Sequence, residues 1–173
     1  RSLMFSPLPD LLDPWRAVDS RSVLAGRLPL SSFPRLQGLL LDTAGDVSFR
    51  LAFSRDEEHR AVLHCEVSAT LRLRCQRCLE ALDHVVDTSM DLAPVAGMEE
   101  ERRLPERYDP LLVSARLIRP RDLIEDELLL GLPQIPMHVP DVCTSMAPEA
   151  DTAKTRSGKT SPFAVLAGLK HSR

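Results

Sequence analysis

No stretch of this chain approaches the ~18 consecutive apolar residues that span a bilayer, and the opening "RSLMFSPLPDLLDPWR" lacks the basic, apolar, small-residue order of a secretory signal. A cytoplasmic protein with no membrane partner is expected. Glycine is scarce, with seven in 173 residues, and no P-loop, nucleophile elbow or dinucleotide-binding pattern occurs. The segment "RSGKTS" holds Gly158, Lys159 and Thr160 but lacks the earlier glycine that a phosphate cradle needs. Basic charge is not in excess either. The net charge is −3 and the sequence pI about 6.0, so any contact with nucleic acid must come from a local patch. With 43% apolar residues the chain can bury a real core and needs no disulfide scaffold. Its four cysteines, in a reducing compartment, read as thiols or metal ligands.

What is present begins with proline. Pro7, Pro9, Pro14, Pro29 and Pro34 break the segment up to about Asp42, where "RSVLAGRLPLSSF" supplies at most one strand. Period-two alternation follows: Val47, Phe49, Leu51 and Phe53 on one face, then Ala61, Leu63, Cys65, Val67, Ala69, Leu71, Leu73 and Cys75 on a much longer one. The opposite face of this long strand carries His64, Glu66, Arg72 and Arg74. The segment "LDHVVDTSMDL" fits a returning strand, although Leu79, Leu82, Val86 and Met90 also suit a helix. "GMEEERRLPERYDP" is too polar to pack and is expected to be a mobile loop over 98–107. "DLIEDELLLGLP" is the main helix, Asp122 to Leu130, with Asp122 and Glu125 as a capping box and Gly131 and Pro133 as its stop. The expected fold is α+β: an antiparallel sheet curled toward a barrel, with one main helix. Residues 1–146 form one domain, 147–160 a flexible linker, and 161–173 a short apolar and basic segment.

"CQRCLE" places Cys75 and Cys78 at the tip of the predicted hairpin, close enough for both sulfurs to meet one ion. His138 and Cys143, an H-x4-C pair in the proline-rich segment after the helix, would complete a Cys3His zinc site. Spacing alone leaves two other readings: a turn with two buried thiols, and a redox pair favoured by Arg74 and Arg77 but lacking a β-α-β context. Cys65 lies in phase with the core. His59, His64, His84 and His171 have no partner at useful spacing and are expected in solvent. Glu125, Asp126 and Glu127 read as a wet, dipole-favoured face rather than an acid/base pair. Arg72, Arg74 and Arg77 at the hairpin tip, and Lys154, Arg156 and Lys159 in the linker, are the candidate phosphate contacts.

Taken together and in order, "CQRCLE", "YDP", "IEDELLLGLPQIPMHVPDVC" and "SPFAVLAGLK" resemble the bacterial YceD family, over most of the chain. The resemblance implies a non-enzymatic role in the accumulation, processing or stability of large-subunit (23S) ribosomal RNA. Partners would be that RNA or its precursor, and ribosomal proteins. It maps the family's cysteine pair onto Cys75 and Cys78 and its H-x4-C onto His138 and Cys143, which favours a structural zinc. Ser161 stands where the family usually has asparagine before Pro-Phe-Ala. Two other functions are kept: a module that holds a ribosomal protein, docking through Phe163 and Leu166, and an RNA-processing enzyme, for which no catalytic constellation is seen.

Overall fold

A computed structural model describes residues 8–139 together with 142 and 143. The expected linker and C-terminal segment, with Lys154, Arg156, Lys159, Phe163, Leu166 and His171, lie outside the described residues.

Asp13 begins the first helix, α1 (Pro14–Asp19), by accepting from the backbone N–H groups of Trp15 at 3.0 Å and Arg16 at 3.1 Å, with Pro14 at the first helical position. Sequence reading took this region as irregular because of its prolines, yet an Asp-Pro pair starts a helix as readily as it ends one. Strand β1 (Val23–Pro29) and a one-turn helix α2 (Pro34–Gln37) follow, then β2 (Asp46–Arg55), β3 (Ala61–Arg74) and β4 (Ala81–Val95). A short helix α3 (Met98–Glu101) leads to β5 (Asp109–Leu112), and α4 (Pro120–Leu130) comes last. The expected 98–107 loop therefore contains one helical turn.

The sheet has five strands in the order β1-β2-β3-β4-β5. Its first three junctions are antiparallel, and β5 joins β4 in parallel from Leu92↔Asp109 to Val95↔Leu112. The expected α+β class, a mainly antiparallel sheet with one main helix, is what the structure shows; the sheet stays open, and its fifth strand is parallel. The helical alternative for β4 arose because Leu82, Val86 and Met90 recur every fourth residue, a spacing that also keeps one face of a strand. In the structure they share the inner face with His84 and Leu92, opposite Leu73, Ala69 and Cys65 of β3.

That inner face carries the core. Phe49, Leu51, Phe53, Leu63, Val67 and Leu71 from the strands pack with Val18, Leu36, Ile124 and Leu128 from the helices, all buried. Helix α4 begins at Pro120, ahead of Asp122, with Arg119 as the preceding cap residue and no side-chain cap, so the expected capping box does not form. Glu125 instead lies buried against α2. It accepts from the Arg35 backbone N–H at 2.7 Å and from Arg35 Nε at 2.8 Å, while Arg35 Nη1 reaches Asp126 at 2.7 Å. The wet-face reading of these acids holds for Asp126 and fails for its neighbours: Glu125 is 3% and Glu127 4% exposed. Glu127 occupies the i+3 and i+4 position of the stripe begun by Leu123 and Ile124. Burial raises its carboxyl pKa, and Asp126 and Asp109 add to the effect.

Helix α4 stops where Gly131 meets the sheet. Its φ is −74°, so glycine is not needed for backbone freedom. A Cβ there would stand 2.6 Å from Cγ1 of the buried, β-branched Val86. Gly131→Ala is expected to destabilise the protein by about 1–3 kcal/mol through overpacking. Urea unfolding should show part of that loss recovered when Val86→Ala is added.

Candidate metal centre and basic hairpin tip

The β3–β4 hairpin ends in the turn that holds Cys75 and Cys78. The turn is closed by two backbone bonds, Cys75 N–H to the Glu80 carbonyl and Leu79 N–H to the Cys75 carbonyl, each 2.9 Å. Leu79 has φ +66°, the left-handed region that glycine enters freely and leucine at a cost. The proline-spaced segment after α4 returns to this tip. Gln76 N–H donates to the Pro136 carbonyl at 2.8 Å and His138 N–H points to Cys75 Sγ at 3.5 Å. Chain regions some sixty residues apart are thereby tied by backbone as well as side chains.

Cys75, Cys78, His138 and Cys143 come together, each offering one ligand atom, with all four atoms within 4.8 Å of one another. The three cysteines are free thiols and buried. Cys75 Sγ and Cys143 Sγ are 3.8 Å apart, and Cys78 Sγ is 3.3 Å from His138 Nδ1. Zn–S bonds of about 2.3 Å in tetrahedral geometry place two sulfurs about 3.8 Å apart. That separation is far beyond the ~2.05 Å of a disulfide. His138 Nε2 lies 3.0 Å from the Ala81 carbonyl, which can only accept, so this nitrogen carries the proton and Nδ1 presents its lone pair to the cysteines. Burial opposes ionisation of Cys75, but N–H groups of Cys78, His138 and Arg77 directed at its sulfur outweigh it and bring the thiol down to about 5. Burial, with hydrogen bonds to Cys78 and Cys75, pushes Cys143 up to about 11. A cluster of three cysteine sulfurs and a tautomer-fixed imidazole is a donor set suited to a borderline-soft divalent ion. Sequence reading found all four side chains; it did not find the Pro136 and Ala81 carbonyls, which no residue type announces. Cys65 sits in the core, with burial, Glu127 and Glu66 pushing it up to about 12, and is inert.

The three tip arginines are exposed but not equivalent. Arg72 lies 3.4 Å from Asp42 and opposite Asp83 of β4. Arg74 faces Ala81, and Arg77 lies near Met137, its Nη2 3.9 Å from the sulfur. Positive charge is therefore concentrated at Arg74 and Arg77, while farther along the same face β4 presents Asp87 and Asp91.

A family profile described as "Large ribosomal RNA subunit accumulation protein YceD" matches residues 63–170, which begins in β3 and takes in Cys75, Cys78, His138 and Cys143. The chain belongs to the YceD family. A relative in Haemophilus influenzae named "Large ribosomal RNA subunit accumulation protein YceD" is 31% identical over 169 residues, covering 94% of this chain and 96% of its own. No solved structure matches. No helix among the described residues is long and apolar enough to cross a membrane.

Two histidines read as solvated have partners. His84 Nε2 is 2.9 Å from the Gly131 carbonyl. On the outer face of the sheet, His64 Nδ1 lies 2.7 Å from Asp91, and Nε2 lies 3.4 Å from Glu66. The hydrogen bond to Asp91 leads the causes that raise the His64 pKa above 6.5. A raised histidine pKa adds stability that is fully present below the unfolded value and is lost as pH rises through the folded one. An NMR titration should place the His64 midpoint above 6.5, and Asp91→Asn should lower it and flatten the fall in stability across that window.

Proposed function

We propose that this protein is a non-enzymatic, cytoplasmic factor for the accumulation of large-subunit (23S) ribosomal RNA, and that its Cys3His cluster holds one structural zinc ion. The relative named for large ribosomal RNA subunit accumulation, matched along nearly the whole of both chains, carries the functional reading. The 3.8 Å sulfur separation, the oriented imidazole and the burial of the cysteines support the metal. Four protein ligands leave no open position for a substrate or an activated water, so the ion's role is to pin the 134–143 segment to the hairpin tip. RNA contact is assigned to Arg74 and Arg77, with Arg72 partly neutralised by Asp42, and to Lys154, Arg156 and Lys159. Arginines at a hairpin tip of this kind meet phosphates rather than base edges, which gives affinity without sequence preference. Ribosomal proteins are secondary partners, with Phe163 and Leu166 as docking side chains.

Protein purified without chelator is expected to contain about one zinc per chain by elemental analysis. Cys78→Ser should lose the metal together with much of the stability, and a chelator should lower the melting temperature of the parent but not of the variant. A metal-free protein whose melting ignores chelators would remove the site.

Loss of the gene should lower mature 23S RNA relative to 16S RNA, and crosslinking in growing cells should recover large-subunit RNA. In vitro, Arg72, Arg74 and Arg77 replaced together by alanine should weaken binding to unrelated RNA sequences alike and flatten its dependence on salt. Unchanged affinity in that folded variant would transfer the contact to the 154–159 lysines and arginine.

A further inference from the structure

Leu79 is held at φ +66° in the turn of the cysteine pair, a backbone conformation that glycine would adopt without steric penalty. Of the five non-glycine positions with left-handed backbone among the described residues, it is the one with a large apolar side chain. That side chain is 61% exposed, so packing within the chain does not offset the strain. Strain retained at an exposed position implies a use for the side chain outside the fold.

Leu79 has apolar neighbours on the returning chain. That segment is fastened to the tip through the Pro136 carbonyl and through His138. The residues that alternate with these two, Ile135, Met137 and Val139, are 46% to 64% exposed. Two chain regions some sixty residues apart thus gather four apolar side chains beside the cysteine cluster, with no aromatic ring among them. Single apolar residues scattered over a surface are ordinary, whereas a group brought together on one rigid support marks an interaction site. Arg77 borders the group, its Nη2 3.9 Å from Met137 Sδ, and no carboxylate among the described residues pairs with it, Glu80 included.

We propose that Leu79, Ile135, Met137 and Val139 form a docking surface for a second protein, one that presents an aliphatic segment with a carboxylate placed to meet Arg77. Side-chain type and charge choose this occupant. RNA bases stack on aromatic rings, and none stands in the group. A second copy of this chain, docking the same surface on itself, would bring another Arg77 to the seam, and like charges there oppose association. An aliphatic segment removes the four side chains from water, and its carboxylate supplies the charge that Arg77 lacks. Arg72 and Arg74 alternate with the core residues Leu71 and Leu73, so they project from the outer face of the sheet and stay available to RNA.

A benzoylphenylalanine photocrosslinker placed at Ile135 of the full chain in growing cells should give a discrete protein adduct that the same probe at Leu112, exposed on β5, does not. Placement at Val139 repeats the test should the Ile135 variant fail to fold. The crosslinked peptide of the partner, synthesised with a fluorescent label, is then titrated with the purified protein. Leu79→Gly should weaken its binding about tenfold while metal content stays the same and the melting temperature is unchanged or higher, because glycine relieves the backbone. Loss of affinity therefore cannot come from loss of fold. Arg77→Ala should weaken the peptide too, but should have no further effect on a peptide whose acidic residues are replaced by their amides. Adducts only with the chain itself, adducts only with RNA, or the same adducts at Ile135 as at Leu112 would each overturn the docking surface, as would a peptide that Leu79→Gly binds equally well. Accumulation of 23S RNA in the deletion strain judges the proposed function separately.

Discussion

In the register that runs from Leu63↔Leu92 to Arg74↔Ala81, a slip of one residue would turn Leu71 and Leu73 to solvent and drive Arg72 and Arg74 into the core. The cost of burying two guanidinium groups makes that register unambiguous, and everything else takes its position from it. It sets the depth at which Val86 meets Gly131 and so where α4 must end. It also sets where the hairpin turns, and therefore where Cys75 and Cys78 stand.

The two ends of the β3–β4 pair are consequently different in chemistry. At the tip, the turn is short and closed by its own backbone, so its sulfurs face inward and the returning proline-spaced chain can complete the donor set. Prolines limit the backbone freedom of that chain, which lowers the entropy lost when His138 and Cys143 are held. At the other end β4 outlasts its pairing with β3, and the space left over is lined by Trp15, Pro94, Val95 and Leu104 together with three arginines and Glu100. One hairpin thus carries basic groups at one end and a cavity beside Trp15 at the other.

Buried charge is used sparingly and with partners. Glu125 is satisfied by both the backbone and the side chain of Arg35, which fastens α2 to α4 across the open side of the core. An isolated carboxylate there would be destabilising, whereas this one meets two donors in near-ideal geometry.

The strands were legible in the sequence because alternation is a local property: Val47 to Phe53 and Ala61 to Cys75 declare their faces without reference to anything else. The clustering of Cys75, Cys78, His138 and Cys143 was legible for a related reason, since those residue types at such spacing mark a candidate metal site. Local pattern also sufficed to end α4 near Gly131 and to predict that Cys65 belongs to the core. It did not disclose that the sheet stays open with a parallel fifth strand, because strand order depends on how the 96–108 connection crosses. Nor did it disclose that Glu125 is buried, since its partner Arg35 lies ninety residues away. The meeting of Asp56 with Tyr108 and Arg107 is likewise a tertiary fact: only packing decides which distant donors fill a carboxylate, and no pattern of neighbours along the chain records it.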